Sequence, residues 1–155
     1  MEKRFEKVKL GEQTEKEKEE IARYRSEADI IVDPSQTAIS RKVRGQVVYN
    51  DLEVALAEAR EGGKLFLEPG NYVSRSDDGF PITKTLSIVG CNVSTVVVQS
   101  DVFVKHAVLF QGGQTYFKNI KFMGNVEPQK HRFGIIIFLG VDVVIEDCWF
   151  FHGKL

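Results

Sequence analysis

The sequence predicts an all-β solenoid: a right-handed, single-stranded parallel β-helix with an N-terminal capping α-helix and a charged helical leader. Two observations carry this prediction, a repeated stretch near the C-terminus and the interruption of short apolar runs by Gly, Asn and Asp. The repeat appears when residues 107–122 are aligned without gaps on residues 135–150. Equivalent residues such as Phe117 and Ile145 are then 28 apart (145 − 117), a spacing typical of stacked supersecondary units.

Each copy of the repeat holds two runs rich in β-branched and aromatic residues, and the first run ends at Gly112 or Gly140. The second run is broken by Asn119 or Asp147, residue types that tolerate the left-handed backbone region. We therefore predict that both are structural corners between strands. Two unrelated strand pairs of a β-sandwich are the alternative interpretation. In the β-helix, the side chains expected to face inward are Phe117, Ile120 and Phe122 in one copy, and Ile145, Cys148 and Phe150 in the next.

Composition limits the class of protein. The chain has 155 residues and a formal net charge of −1, with basic and acidic residues interleaved, which argues against a nucleic-acid partner. The sequence has no apolar run long enough to cross a bilayer, and its first twenty residues are too rich in Lys and Glu for a signal peptide. We expect a soluble, cytoplasmic protein whose Cys91 and Cys148 are reduced, buried thiols.

We divide the chain into a charged helical leader or arm, residues 1–28, and the N-terminal coils of a β-helix, residues 29–155. In the leader, Ile21, Tyr24 and Ala28 recur at helical spacing after Thr14, a candidate N-cap. The apolar stripe is narrow, so the isolated helix would be marginal in water. Two interpretations stay open: a solvated or disordered leader, and an arm that folds against a partner.

A second helix is predicted where Asn50 and Glu53 have the spacing of a capping box. Its apolar face would cover the exposed interior at one end of a stack. That face consists of Leu52, Ala55, Leu56 and Ala59, and Gly62 and Gly63 follow it. The strands expected before and after this helix are 29–33, 45–49, 64–67, 81–90 and 94–98, and the turns and loops are 35–44, 68–72, 74–79 and 126–132.

A family resemblance rests on five motifs in order: 49–59, 64–72, 86–90, 117–122 and 147–150. The first three are a helix, a strand followed by Pro-Gly-Asn-Tyr72, and a strand ending in Gly90. This order resembles the opening of pectin methylesterases and related pectate-lyase-like β-helix proteins. The likeness covers residues 29–155 and implies the right-handed parallel β-helix fold.

The departures from that family bear on activity. The methylesterases carry a catalytic Gln where this chain has Arg132 and Phe133, and a Gln-Asp pair where it has His152, Gly153 and Lys154. The resemblance therefore implies no catalytic residue here, and we expect no enzyme. The chain looks more like non-catalytic intracellular β-helices, such as the SHC SH2-domain-binding protein and nessun dorma family and F-box proteins with β-helix repeats.

We accordingly expect a non-catalytic β-helix scaffold or assembly subunit in a larger intracellular complex, cytoplasmic and associated with the cytoskeleton or a cilium. The expected partner-binding residues are Trp149 and Phe151, which alternation places outward, with the loop residues Lys130, His131 and Arg132. The alternative function is a carbohydrate-active enzyme or polysaccharide-binding protein of the pectin lyase-like class, because outward aromatic rings can stack on sugars.

No cofactor or metal is expected. The histidines, His106, His131 and His152, lie far apart without metal-ligand spacing. Asp142 and Glu146 cluster with Asp147, but Asp147 is already explained as a corner. A solenoid ending at Leu155 would leave Phe150 and its last strands uncovered, so either the β-helix continues or other protein subunits cover this open C-terminal coil.

Overall fold

The computed structural model describes residues 14–75, 79–105, 114–124, 134–138 and 141–151. In these residues the fold is mostly β, with two helices and parallel sheets. The helices are α1 (Glu15–Glu27) and α2 (Leu52–Glu58). The strands are β1 (Ile30–Val32), β2 (Ser40–Val43), β3 (Gln46–Tyr49), β4 (Lys64–Leu67), β5 (Gly70–Tyr72), β6 (Phe80–Ile82), β7 (Ser87–Gly90), β8 (Val96–Val98), β9 (Val102–Val104), β10 (Gln114–Lys118), β11 (Lys121–Phe122), β12 (Ile135–Ile137), β13 (Asp142–Glu146) and β14 (Trp149–Phe150).

The strands form three sheets. The seven-stranded sheet has the order β13-β10-β7-β4-β1-β3-β2, the four-stranded sheet β14-β11-β8-β5, and the three-stranded sheet β12-β9-β6. All described pairs are parallel except β2 with β3, unlike the antiparallel sheets of a sandwich. From β4 onward the chain visits the three sheets in turn. We call each visit to all three a round: β4–β6, β7–β9 and β10–β12, with β13 and β14 beginning a fourth.

The second run of the predicted repeat has the expected pairing. Phe117 on β10 lies opposite Ile145 on β13, and Phe122 on β11 lies opposite Phe150 on β14. The prediction for the first run was wrong: Ile135 on β12 pairs with Val102 of the unpredicted strand β9. The connection from β9 to β10 is longer than the connection from β12 to β13, so an alignment without gaps misplaces the first run. Residues 106–113 of that connection lie outside the described part of the chain.

The interior of the molecule is apolar and is covered at one end by α2. One inward row of the seven-stranded sheet runs from Ile30 through Leu65, Ile88 and Phe117 to Ile145, and the first four are buried. Helix α2 packs against β1, β3 and β6 and buries its predicted apolar face. One detail of the prediction was wrong, because the N-cap is Asp51, whose carboxylate accepts from the Glu53 N–H at 2.8 Å, rather than the residue before it.

The outer face of the seven-stranded sheet carries an apolar row that lies partly under α1. Ile31, Phe66 and Val89 form an outward row and are 9 %, 0 % and 2 % exposed. The same row continues with Lys118 on β10 and Glu146 on β13, at the end of the sheet away from α2. Helix α1 packs on β4, and its Arg25 guanidinium lies 4.8 Å from the Phe66 ring centroid, so α1 covers this part of the apolar row.

Helix α1 is held by contacts along its length. Thr14 caps it as predicted, accepting from the Glu17 N–H, and Ile21 is buried. The Arg25 guanidinium pairs with Glu68 at 2.8 Å, and the Gln46 amide donates to the Arg25 carbonyl at 2.7 Å, satisfying a carbonyl at the helix end. Residues 15–27 thus form a helix folded against their own sheet, rather than the solvated leader of one interpretation.

Two segments expected as irregular contain strands. The predicted surface loop 35–44 includes β2, which pairs with β3 across a two-residue turn at Arg44 and Gly45. The predicted turn 68–72 includes β5, where the Tyr72 hydroxyl donates to the Glu68 carbonyl at 2.5 Å. Residues 76–78 of the expected polar loop and all of loop 126–132 lie outside the described residues.

Candidate functional site

The last strands of the three sheets form one face of the molecule, which we call the terminal face. Strands β12, β13 and β14 are the end strands of their sheets, so each has an edge with which no described strand pairs. Ile145 and Phe150 occupy inward rows but are 39 % and 52 % exposed, whereas Phe117 and Phe122, one round earlier, are 2 % and 1 % exposed. Among the described residues, therefore, no further strand covers the interior at the terminal face.

The aromatic rings at this face already stack between rounds. The Phe122 and Phe150 ring centroids are 5.3 Å apart with planes at 17°, and Phe117 meets Phe122 edge-on at 5.5 Å. Phe150 thus continues an aromatic column, but it remains about half exposed. Burial of a Phe side chain is worth about 1.5–3 kcal/mol, so covering it would favour association.

The two predicted corners position these strands. Asn119 and Asp147 have φ values of 59° and 50°, which confirms the left-handed backbone expected at both. The first corner also explains Gly90, because a Cβ at residue 90 would overlap the carbonyl oxygen of Asn119. Each corner turns the chain from the seven-stranded sheet into the four-stranded sheet, so that Phe122 and Phe150 point into the interior.

The two predicted aromatic anchors have different environments. Trp149 pairs with Lys121 of β11, is half-buried, and lines a cleft beside α1. Phe151 is 41 % exposed, with the Lys121 ammonium 5.3 Å from its ring centroid. Phe151 therefore borders the terminal face as an accessible aromatic, whereas Trp149 is partly covered. The other predicted partner-binding residues, Lys130, His131 and Arg132, lie outside the described residues.

The cleft beside Trp149 has a volume of about 440 Å³, and Lys118 is among the residues that line it. The Lys118 ammonium lies 2.9 Å from a Glu20 carboxylate oxygen, 3.4 Å from Asp147 and 3.8 Å from Glu146. The hydrogen bond from Lys118 holds the pKa of Glu20 below its ordinary value. The cleft is lined by Glu17, Glu20, Ile21, Val93, Lys118, Asn119, Asp147 and Trp149.

Two of the acidic residues near the last strands, Glu146 and Asp147, are thus engaged in ion pairs. Glu146 also accepts a hydrogen bond from the Tyr116 hydroxyl at 3.1 Å, and Asp142 is exposed at the start of β13. Within the described ranges, no three His, Cys, Asp or Glu side chains are grouped to hold a metal ion. The three histidines lie outside those ranges.

Both cysteines are free thiols. The Cys148 sulfur donates to the Glu146 carbonyl at 3.2 Å, and burial raises the pKa of Cys148 to about 11. Burial also raises the pKa of Cys91, which lies just after β7. At neutral pH both are therefore protonated and poorly nucleophilic.

A second surface lies at the opposite end of the seven-stranded sheet, in the stretch predicted as a surface loop. The hairpin of β2 and β3 carries three cations, Arg41, Lys42 and Arg44, and all four residues of β2 are exposed. The sequence gave no sign that this predicted loop contains an edge strand, because β2 has no apolar alternation.

Comparison with models of protein families, with curated proteins and with solved structures gives no match to this chain. Neither of the two helices in the described residues has the length and apolar character needed to span a membrane.

Proposed function

We propose that the three sheets are the walls of one right-handed, single-stranded parallel β-helix capped at its first round by α2. Support comes from the order in which the chain visits the sheets and from the parallel register that puts Phe117 opposite Ile145. The right hand follows from the general preference of parallel crossover connections. In such a helix every round covers the apolar interior of the preceding one.

We infer that the protein is a non-catalytic scaffold or assembly subunit that binds other proteins within a larger intracellular complex in the cytoplasm. The observation that carries this inference is the exposure of Ile145 and Phe150 at positions whose equivalents one round earlier are buried. The partner supplies β-strands to the edges of β13 and β14 and apolar side chains to the terminal face. Phe151 and Lys121 lie at its border.

The electrostatics of the cleft support a binding role over acid–base catalysis. A catalytic general acid needs a carboxyl group whose pKa is raised towards neutrality. Here the pKa of Glu20 is lowered by its hydrogen bond from Lys118, and Asp147 and Glu146 share the same ammonium group. The ion pairs of these carboxylates with Lys118 hold α1 and the last corner in place.

The proposed function predicts that charges on the terminal face abolish partner binding. The double substitution Ile145→Lys and Phe150→Glu places two charges where apolar contacts and sheet edges must be desolvated, so we expect at least about a tenfold loss of affinity. Affinity capture from the source cell, with quantitative mass spectrometry of the proteins that co-purify in stoichiometric amounts, measures the effect.

Val73→Glu is the matched control, because Val73 is 56 % exposed and lies beside β5, at the other end of the four-stranded sheet from β14. The control should retain every stoichiometric partner. Circular dichroism should show that both proteins are folded. Recovery of the same proteins, in the same amounts, with the double variant would rule out the terminal face as the binding site.

A polysaccharide-binding or carbohydrate-active protein of the pectin lyase-like class is the second candidate. The observation that favours it is the position of Trp149 in a cleft with Asn119 and Asp147, which combines an aromatic ring with hydrogen-bonding groups. A glycan-binding screen, together with turnover assays on methylated and de-methylated polygalacturonate, tests this function. Trp149→Ala should abolish retention if the cleft binds sugar, and wild-type protein that retains and turns over nothing would reject it.

A further inference from the structure

The basic hairpin, residues 39–46, concentrates positive charge at the capped end of the molecule. Between Asp33 and Asp51 the sequence has three basic residues, Arg41, Lys42 and Arg44, and no acidic one. Among the described residues, none of the three pairs with a carboxylate, whereas Arg25, Arg60, Arg75 and Lys118 all do. The charge on this hairpin is therefore available for an external anion.

The same hairpin presents an open strand edge. Strand β2 ends the seven-stranded sheet, and no described strand pairs with its outer side. Its four side chains are exposed, and Ile39 just before it is 68 % exposed. An extended segment that added to β2 would gain main-chain hydrogen bonds and apolar contact with Ile39 and Val43.

The turn of the hairpin has a charged residue at a position where a small residue is preferred. Arg44 and Gly45 have φ values of 51° and 83°, the pattern of a type I′ turn. Asn, Asp or Gly is preferred at the first of these positions because a longer side chain is strained there. Such departures from local preference concentrate at functional positions.

We propose that the basic hairpin is a docking site for an acidic, extended protein segment that adds to β2 as a further strand. Basic residues on an edge repel a second copy of that edge and thereby prevent aggregation, but the same charges favour a strand that carries Glu or Asp. The open main-chain edge and Ile39 favour a peptide over a nucleic acid, which would use only the three cations. The site is distinct from the terminal face and is tested on this chain alone.

The test uses a fluorescent synthetic peptide of about ten residues in which Glu and Val alternate, with binding followed by anisotropy. The substitutions Arg41→Gln and Lys42→Gln together should weaken binding about tenfold. Lys16→Gln and Lys64→Gln together remove two exposed charges elsewhere and should leave affinity within about twofold. Equal weakening by the two pairs would show a general charge effect and overturn the proposal.

Two further probes separate strand addition from simple attraction. The same peptide with alternate amides N-methylated keeps its charge but cannot pair with an edge, and it should bind at least about tenfold more weakly. A single-stranded DNA oligonucleotide of similar charge should also bind weakly. Undiminished binding of the N-methylated peptide, or tighter binding of the oligonucleotide, would each contradict the proposed site.

Arg44→Asn distinguishes docking from folding. It removes a charge from the hairpin and places a preferred residue in the turn, so peptide affinity should fall severalfold while the Tm is unchanged or higher. A lower Tm together with unchanged affinity would show that Arg44 has a structural role instead.

Discussion

Two corner residues show how single positions direct the chain. Asn119 and Asp147 were predicted from residue type and position in the repeat, and both adopt positive φ. This success follows from local physics, since few residues accept that backbone and both types are among them. The matching requirement for a glycine at residue 90 was not predictable, because it depends on the carbonyl of Asn119, 29 residues away (119 − 90).

Asn119→Ala should destabilise the protein by about 1 kcal/mol, because alanine pays the steric cost of the left-handed region without the local hydrogen bonding of asparagine. Asn119→Gly should lose less, since glycine adopts that region freely. Urea unfolding followed by circular dichroism gives both values. If the alanine variant proved as stable as the glycine variant, the corner would not require its observed conformation.

The α2 capping motif illustrates a limit of local reasoning at single positions. Glu53 was expected to complete a capping box, but its carboxylate accepts instead from the Ser74 hydroxyl at 3.1 Å and from the Arg75 N–H. The N-cap residue is Asp51, one residue after the predicted position. Partners more than twenty residues away thus compete with the local motif, and a sequence pattern does not contain them.

Among the elements, α1 depends most on its surroundings. Its narrow apolar stripe left the sequence interpretation open, because 13 residues of this kind form a marginal helix alone. The structure supplies the missing stabilisation through the buried outward row of Ile31, Phe66 and Val89. The short strands β2, β5 and β9 were missed for a related reason: runs of three or four residues acquire strand character from their neighbours.

Loss of the ion pair between α1 and the sheet should be visible in the fluorescence of Trp149, the sole tryptophan. Trp149 and Glu20 line the same cleft, so Glu20→Gln should loosen α1 and increase acrylamide quenching. Glu19→Gln removes the same charge from an exposed position on α1 and is the control. Equal quenching in the two variants would contradict a role for Glu20 in docking.

The same docking should weaken in acid. The pKa of Glu20 is lowered by Lys118 below its ordinary value of 4.5. Its contribution is therefore complete above that value and is lost as the pH falls through the lowered pKa. Quenching of Trp149 should rise across this acidic range in the wild type, and this rise should be smaller in the Glu20→Gln variant.

Across the whole molecule, the number of residues between paired strands varies, whereas the parallel register of the pairs is maintained. The pairing of Phe117 with Ile145 was predictable because each is followed two residues later by an equivalent corner, Asn119 or Asp147. The pairing of Ile135 with Val102 was not, because loops between successive strands differ in length from round to round. Loop length contributes little to the free energy of folding, so sequence spacing alone is a weak guide to which strands meet.

Cys91 and Cys148 lie in different rounds, so their reactivities measure local unfolding in different parts of the molecule. We expect the free energy of local unfolding to differ between the two rounds. Cys148 lies in the fourth round, at an open end, and Cys91 in the second, where both sides are covered. End units of stacked architectures open at lower free energy than central ones. In sub-denaturing urea at about pH 8, Cys148 should therefore react with iodoacetamide several times faster than Cys91, as measured by peptide mass spectrometry.

Both thiols should react slowly without urea, because burial raises the pKa of each. In fully denaturing urea the two rates should converge, which controls for intrinsic reactivity. Identical urea dependence of the two rates would instead indicate a single cooperative opening of the described residues.

Because β2 is antiparallel to β3, the two edge strands of the seven-stranded sheet, β2 and β13, run in opposite directions. Strand β13 runs in the same direction as the strands beneath it, whereas β2 runs against its neighbour. A further strand with the direction of β13 would be parallel to its neighbour if it paired with β13, but antiparallel to its neighbour if it paired with β2. In the proposed β-helix, further rounds would therefore be added beyond β13 rather than beyond β2, whether they come from the same polypeptide or from another.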